Sequence, residues 1–230
     1  MRRLLLGCAV ALAAVLAAAA PAGATNECNG LQVCVPVAGP WVLAPSAQEA
    51  QWQLQCPKRF VVGGLDAELT SRAIDLVFRA TLGSPVNPGI STSDAAVFLG
   101  RLALGRDPAA SFRPHIGCIP ASGGGQRIPT AHRAVFPPGK PTVRRVTQIA
   151  LRPGSTRRVV RSCQAGEQLV SASHAVGFRT TSPPTRAEAT AVTVARSAAK
   201  GRVTMTVHGG AELRGAHALV QLDLVCVGGR

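Results

Sequence analysis

Gln221-Leu222-Asp223-Leu224-Val225-Cys226 alternates polar with apolar residues and ends on a cysteine. A period of two is that of a half-buried strand, which sends every second side chain to one face. The same alternation recurs in Gln51-Trp52-Gln53-Leu54-Gln55-Cys56 and in Arg202-Val203-Thr204-Met205-Thr206-Val207. Turn chemistry separates such runs at Gly83-Ser84-Pro85-Val86-Asn87-Pro88-Gly89, Ser182-Pro183-Pro184 and Gly209-Gly210. Downstream of the N-terminal apolar run, only the Ala-rich residues 186–193 leave helix and strand both open. The chain therefore reads as all-β.

Working outward from Cys226 exposes an internal repeat. Cys163 precedes Cys226 by 63 positions and Cys56 precedes Cys118 by 62. Val61-Val62-Gly63-Gly64 aligns with Leu169-Val170-Ser171-Ala172 when one residue is inserted after Cys163, and Phe78-Arg79-Ala80-Thr81 aligns with Phe178-Arg179-Thr180-Thr181. Trp41-Val42-Leu43-Ala44-Pro45 and Ile149-Ala150-Leu151-Arg152-Pro153 extend the match upstream. Each copy spans about 80 residues, the size of a small β-sandwich. The expected organisation is two tandem, disulfide-bonded β-sandwich-like units over residues 40–120 and 147–230, joined by a Gly/Pro-rich basic connector over 121–146. A single sheet system built from both copies is the alternative.

At the N-terminus, Arg2 and Arg3 precede an apolar run that ends in Ala22-Gly23-Ala24, so residues 1–24 read as an export signal whose removal leaves 206 residues. An uncut anchor is the competing reading; no later segment is long enough to span a bilayer. Without Cys8, six cysteines remain, Cys28, Cys34, Cys56, Cys118, Cys163 and Cys226. An even number in an exported chain implies three disulfides among fifteen connectivities. If the two copies fold alike, Cys56 pairs with Cys118 and Cys163 with Cys226. Cys28 and Cys34 would then close a short loop in the N-terminal segment, residues 25–39.

The run Glu27-Cys28-Asn29-Gly30-Leu31-Gln32-Val33-Cys34-Val35-Pro36, together with Cys56-Pro57 and Val61-Val62-Gly63-Gly64, resembles a group of uncharacterised exported, cysteine-bridged β-rich proteins from high-GC bacteria. The resemblance implies export and disulfides and carries no activity.

Catalytic signatures are missing. There is no Gly-x-Ser-x-Gly elbow, no His-Glu-x-x-His pair and no phosphate-cradling Gly-x-x-x-x-Gly-Lys loop. Cys-x-x-Cys and His-x-x-x-His spacings are absent too, so no metal ligand set and no cofactor is expected. An enzyme would need a dispersed site, such as Asp66, His115 and His174 with a serine. Trp41 and Trp52 could stack sugars if exposed together, though beside a disulfide such residues more often fill a core. An adhesin or inhibitor would present the proline-rich loop of residues 84–90.

Charge is the remaining signal. Residues 25–120 carry seven basic and seven acidic side chains, whereas residues 121–162 carry nine basic side chains and no acidic one. Such a field attracts polyanions. Arg127, Arg133, Lys140, Arg144, Arg145, Arg157 and Arg158 are the candidate contacts for an anionic cell-envelope polymer, along a seam between the two units. Phe136 is the one aromatic residue there, too few stacking groups for specific recognition of a single-stranded nucleic acid. The sequence thus leads to an exported, non-catalytic structural or binding protein of the cell envelope. A secreted hydrolase and a protein-binding module are the alternatives.

Overall fold

The computed structural model describes residues 25–79, 94–121, 142–199 and 201–228. The signal segment, Arg127, Arg133 and Lys140 of the connector, and the proline-rich loop all lie outside the described residues. The fold is all-β, with one short helix. In chain order the first half forms β1 (Val35–Ala38), β2 (Trp41–Leu43), β3 (Ala50–Gln55), β4 (Phe60–Leu69), β5 (Ile74–Arg79), β6 (Ala95–Leu102) and β7 (Ser111–Pro120). The second half forms β8 (Thr142–Ala150), β9 (Ser155–Ser162), β10 (Glu167–Phe178), the helix α1 (Arg186–Thr190), β11 (Val192–Ala199), β12 (Arg202–Gly209) and β13 (Ala218–Gly228). The ambiguous Ala-rich stretch thus divides. Its start is helical because Thr185 and Glu188 make a capping box, each side chain bonding the other's backbone N–H.

One seven-stranded antiparallel sheet runs through both halves in the order β1-β7-β2-β10-β13-β8, with β4 on the other side of β7. Two three-stranded sheets, β3-β6-β5 and β11-β12-β9, pack against it. The junction between halves is short: Val42 of β2 lies opposite Gly177 of β10, and Trp41 opposite Phe178. The two hydrophobic cores sit on opposite faces of the large sheet. Val42, Ala175 and Leu219 belong to the first, whereas their chain neighbours Trp41, Val176 and Val220 belong to the second, as the alternation of side chains along a strand requires. Trp52 is fully buried in the first core and Trp41 nearly so in the second, so neither serves as a stacking platform.

The disulfides are Cys28–Cys34, Cys56–Cys118 and Cys163–Cys226. Each long bridge joins the end of a small sheet, just after β3 or β9, to a strand of the large sheet, β7 or β13. Closing loops of 62 and 63 residues stabilises each layer pair, by about 4 kcal/mol in the loop-entropy account.

Pairing register corrects two details of the sequence reading. Val62 faces Cys118 and Leu169 faces Cys226, and each pair of strands has its register shift immediately afterwards, at Val62/Gly64 and Leu169/Ser171. Val62 therefore takes the place of Leu169, six residues after its own cysteine in each case, and no insertion follows Cys163. That part of the alignment was one residue out, which in a strand assigns every side chain to the wrong face, and the match of Phe78 with Phe178 fails, since Phe78 lies in β5 of a small sheet and Phe178 in β10 of the large one. Residues 142–146, assigned to the connector, are instead the first half of β8, with Val143 opposite Cys226.

The same face of β7 and β13 is covered differently. On β4 and β7, the N-terminal segment lies so close that a Cβ on Gly64 or Gly117 would overlap the Glu27 carbonyl oxygen. The corresponding pair in the second half is Ser171 opposite Val225, where Ser171 is exposed; β3 of the first half meets the same face four residues away on β13, bonded through Gln53 to Gln221.

Candidate anion-binding surface

The two adjacent arginines of β8 are not free for a ligand. Arg144 is ion-paired with Asp223, which is 1% exposed, and also donates to Gln51 Oε1 at 3.2 Å. Arg145 grips Glu167 with two hydrogen bonds, Nε to Oε2 at 3.0 Å and an Nη to Oε1 at 2.6 Å. Glu167 further accepts the Gln164 N–H at 2.8 Å. These bonds hold the Glu167 carboxyl below the ordinary glutamate range, and Arg145 above that of arginine. Burial pushes Asp223 up, with Arg144 pulling the other way. Arg144 and Arg145, nominated together as polymer contacts, therefore point to opposite faces of the sheet and neutralise carboxylates there.

Arg157 and Arg158 are also split by the pleat. Arg157 sits opposite buried Val207 and Arg158 opposite half-buried Thr206. The sheet they belong to carries the field that the sequence assigned to the connector. β9, β12 and β11 together hold Arg157, Arg158, Arg161, Arg202 and Arg196, and none of these strands contains an aspartate or glutamate. No ion pair is made by any of the five among the described residues. Arg196 and Arg202 were missed in the sequence because each stands alone in an apolar or hydroxyl-rich strand. Register alone brings them beside β9.

The outer face of this sheet bears Arg158 and Arg202 among hydroxyl side chains. Thr156, Thr193, Ser197, Thr204 and Thr206 share that face by register, while Val203, Met205 and Val207 point into the core. Arg158 stands opposite Thr206, four positions from Arg202 along β12, a spacing of roughly 13 Å at strand rise. A shallow depression of ≈ 360 Å³ lies at one end of this face, lined by Ser197, Ala199, Arg202 and Thr204. Thr156 Oγ1 and His208 Nδ1 are hydrogen-bonded at 3.0 Å. On the inner side, His174 has an unpartnered, buried Nδ1, and desolvation together with the Arg196 charge lowers its pKa to about 4.

The dispersed hydrolytic constellation does not assemble. Asp66 and His115 do face each other across β4 and β7. Asp66, however, accepts the backbone N–H groups of Asn26 and Ala67, and His115 is engaged by Glu68 at 2.8 Å. Val42 aligns Phe112 with Gly177, and counting along the strands from that row puts His174 six residues from His115, roughly 20 Å. Cys163, Glu167 and Cys226 form the one group of three potential metal ligands among the described residues; the two cysteines are bonded to each other and offer no thiolate. No helix among the described residues is long and apolar enough to cross a membrane.

No family model, curated protein or solved structure matches this chain.

Proposed function

We propose that this is an exported, non-catalytic binding protein that holds anionic polymers of the bacterial cell envelope against its arginine-bearing sheet. The observation that carries the reading is the sheet β9-β12-β11, whose strands hold five arginines and no carboxylate and present Arg158 and Arg202 on the outer face. A rigid strand array fixes these two guanidinium stems, so a polymer with repeated phosphate or carboxylate groups meets both cations without reordering them. The neighbouring threonines and serine donate and accept hydrogen bonds to polymer hydroxyls. Three disulfides suit an oxidising compartment.

Salt sensitivity follows from counterion release, so binding should weaken steeply as ionic strength rises. The test is retention on heparin and on immobilised polyphosphate across a salt gradient. Wild-type protein should elute late, and the triple variant Arg157→Gln/Arg158→Gln/Arg202→Gln distinctly earlier. Equal elution of the two proteins would overturn the proposal.

A further inference from the structure

A second anion-seeking feature lies where the halves meet. A cleft of ≈ 840 Å³ opens between the β1–β2 turn and β3 of the first half and, in the second, β8 and the segment after β10. Among the described residues its polar wall includes Arg113, Arg179, Gln148, Thr180 and Thr181 and no aspartate or glutamate; Gln55 also lines it, with its Nε2 donating to Asp94 Oδ2 at 3.0 Å. A neighbouring depression of ≈ 400 Å³ shares Gln148 and Arg179 and reaches His217. Arg179 thus stands at the meeting point of two hollows.

The two arginines are prepared differently. Arg113 is held in place: its Nε donates to the Gly39 carbonyl at 3.3 Å, and its guanidinium lies 6.0 Å from the Trp41 ring centroid. Glu68 is 3.7 Å from one of its Nη atoms, an ion pair without a hydrogen bond that offsets part of its charge. Arg179 is exposed, and its side chain has no hydrogen bond or ion pair among the described residues. One cation is preorganised and the other is available to close on a ligand.

The volume falls in the range that encloses a drug-sized molecule, far more than a lone inorganic anion needs. Carboxamides and hydroxyls both donate and accept, which suits a ligand rich in hydroxyls, while arginine recognises carboxylate with paired N–H groups. Among the described residues Trp52 is the one aromatic side chain in the wall, and it is fully buried, so it offers no face for stacking a base. We infer that the cleft is a binding site for a short stretch of acidic oligosaccharide, with Arg179 and Arg113 receiving sugar carboxylates and Gln148, Thr180 and Thr181 receiving hydroxyls. The inference rests on the reading that the protein takes anionic envelope polymers, and it assigns to that polymer a carbohydrate chemistry and a specific seat.

The test is calorimetric titration of the full chain with tetragalacturonate, with a neutral tetrasaccharide and with tripolyphosphate. Three proteins are compared: wild type, Arg179→Gln, and Arg106→Gln, which removes an exposed cation outside both surfaces. Thermal melts run alongside check that each is folded. Saturable one-to-one binding of tetragalacturonate is expected, weakened at least tenfold by Arg179→Gln at unchanged Tm and within twofold of wild type in Arg106→Gln. The neutral sugar should bind at least tenfold more weakly. Unchanged affinity in Arg179→Gln would overturn the cleft as the seat. Equal binding of the neutral sugar, or Arg179-dependent binding of tripolyphosphate alone, would overturn the acidic-sugar assignment. Loss of the cleft arm with salt-dependent heparin retention intact would remove this inference and leave the broader function standing.

Discussion

Gln221 of β13, fully buried, closes its carboxamide on the backbone of Gln53 in β3, 168 residues away in sequence. The Gln53 N–H donates to Oε1 at 2.6 Å, and Nε2 donates to the Gln53 carbonyl at 3.2 Å. The side chain imitates an adjacent strand at the edge of β3 and fastens one half of the molecule to the other.

Replacing Gln221 with leucine keeps the volume and deletes both bonds. Two backbone groups of β3 are then left without partners, at about 1–3 kcal/mol each. Gln221→Leu should shift the urea midpoint down by the equivalent of about 2–6 kcal/mol with little change in m. A midpoint equal to that of wild type would show that the clamp contributes nothing.

Gly117→Ala should dislodge the N-terminal segment, because the added methyl occupies the position of the Glu27 carbonyl. Overpacking of this kind costs about 1–3 kcal/mol. The expected sign is faster proteolysis within residues 25–34 and faster reduction of Cys28–Cys34, with the two long disulfides as resistant as before. Unaltered cleavage rates would contradict the close approach.

Arg144→Met strands the carboxylate of Asp223, which is 1% exposed. Leaving a buried charge unpaired costs about 3–5 kcal/mol, whereas replacing both members with apolar side chains is far milder. The single variant should therefore melt well below wild type, and Arg144→Met/Asp223→Leu should recover most of the loss. Heparin retention of the folded proteins should hardly move, in contrast to that of the Arg157/Arg158/Arg202 variant. A large fall in retention would return Arg144 to the binding surface.

His174 makes stability fall in mild acid. Its pKa is about 4 in the fold against 6.5 for the free side chain, so the unfolded chain takes up the proton first. The contribution is complete above about pH 6.5 and drains as pH falls toward 4. Asp223, whose carboxyl is raised, works in the opposite sense: its penalty on the fold eases as it protonates. His174→Gln should flatten the decline of Tm between pH 6.5 and 4. An equally steep decline in the variant would show that His174 is not its source.

The β character of the chain was legible because alternation in Gln51–Cys56, 202–207 and 221–226 is a local pattern, and each appears as β3, β12 or β13. The shared sheet was legible only as the alternative to two separate units. Joining β2 to β10 rests on two residue pairs of backbone at a strand edge, and edge pairing leaves little trace in side-chain identity. The candidate site was legible only in part. Nine uncompensated cations between residues 121 and 162 drew attention to that stretch, yet Arg144 and Arg145 find their carboxylates 79 and 22 residues away. Arg179 entered only through the repeat match of residues 178–181, which carries no sign of a ligand.

By itself, the sequence determined the strand-forming segments and, through spacings of 62 and 63, a disulfide framework, because these depend on periodicity and chain distance. Only the tertiary structure decided which arginines are neutralised and which remain free, and where a concave surface opens. Those outcomes depend on register, which sets the face of every side chain, and on contacts between residues the chain keeps far apart.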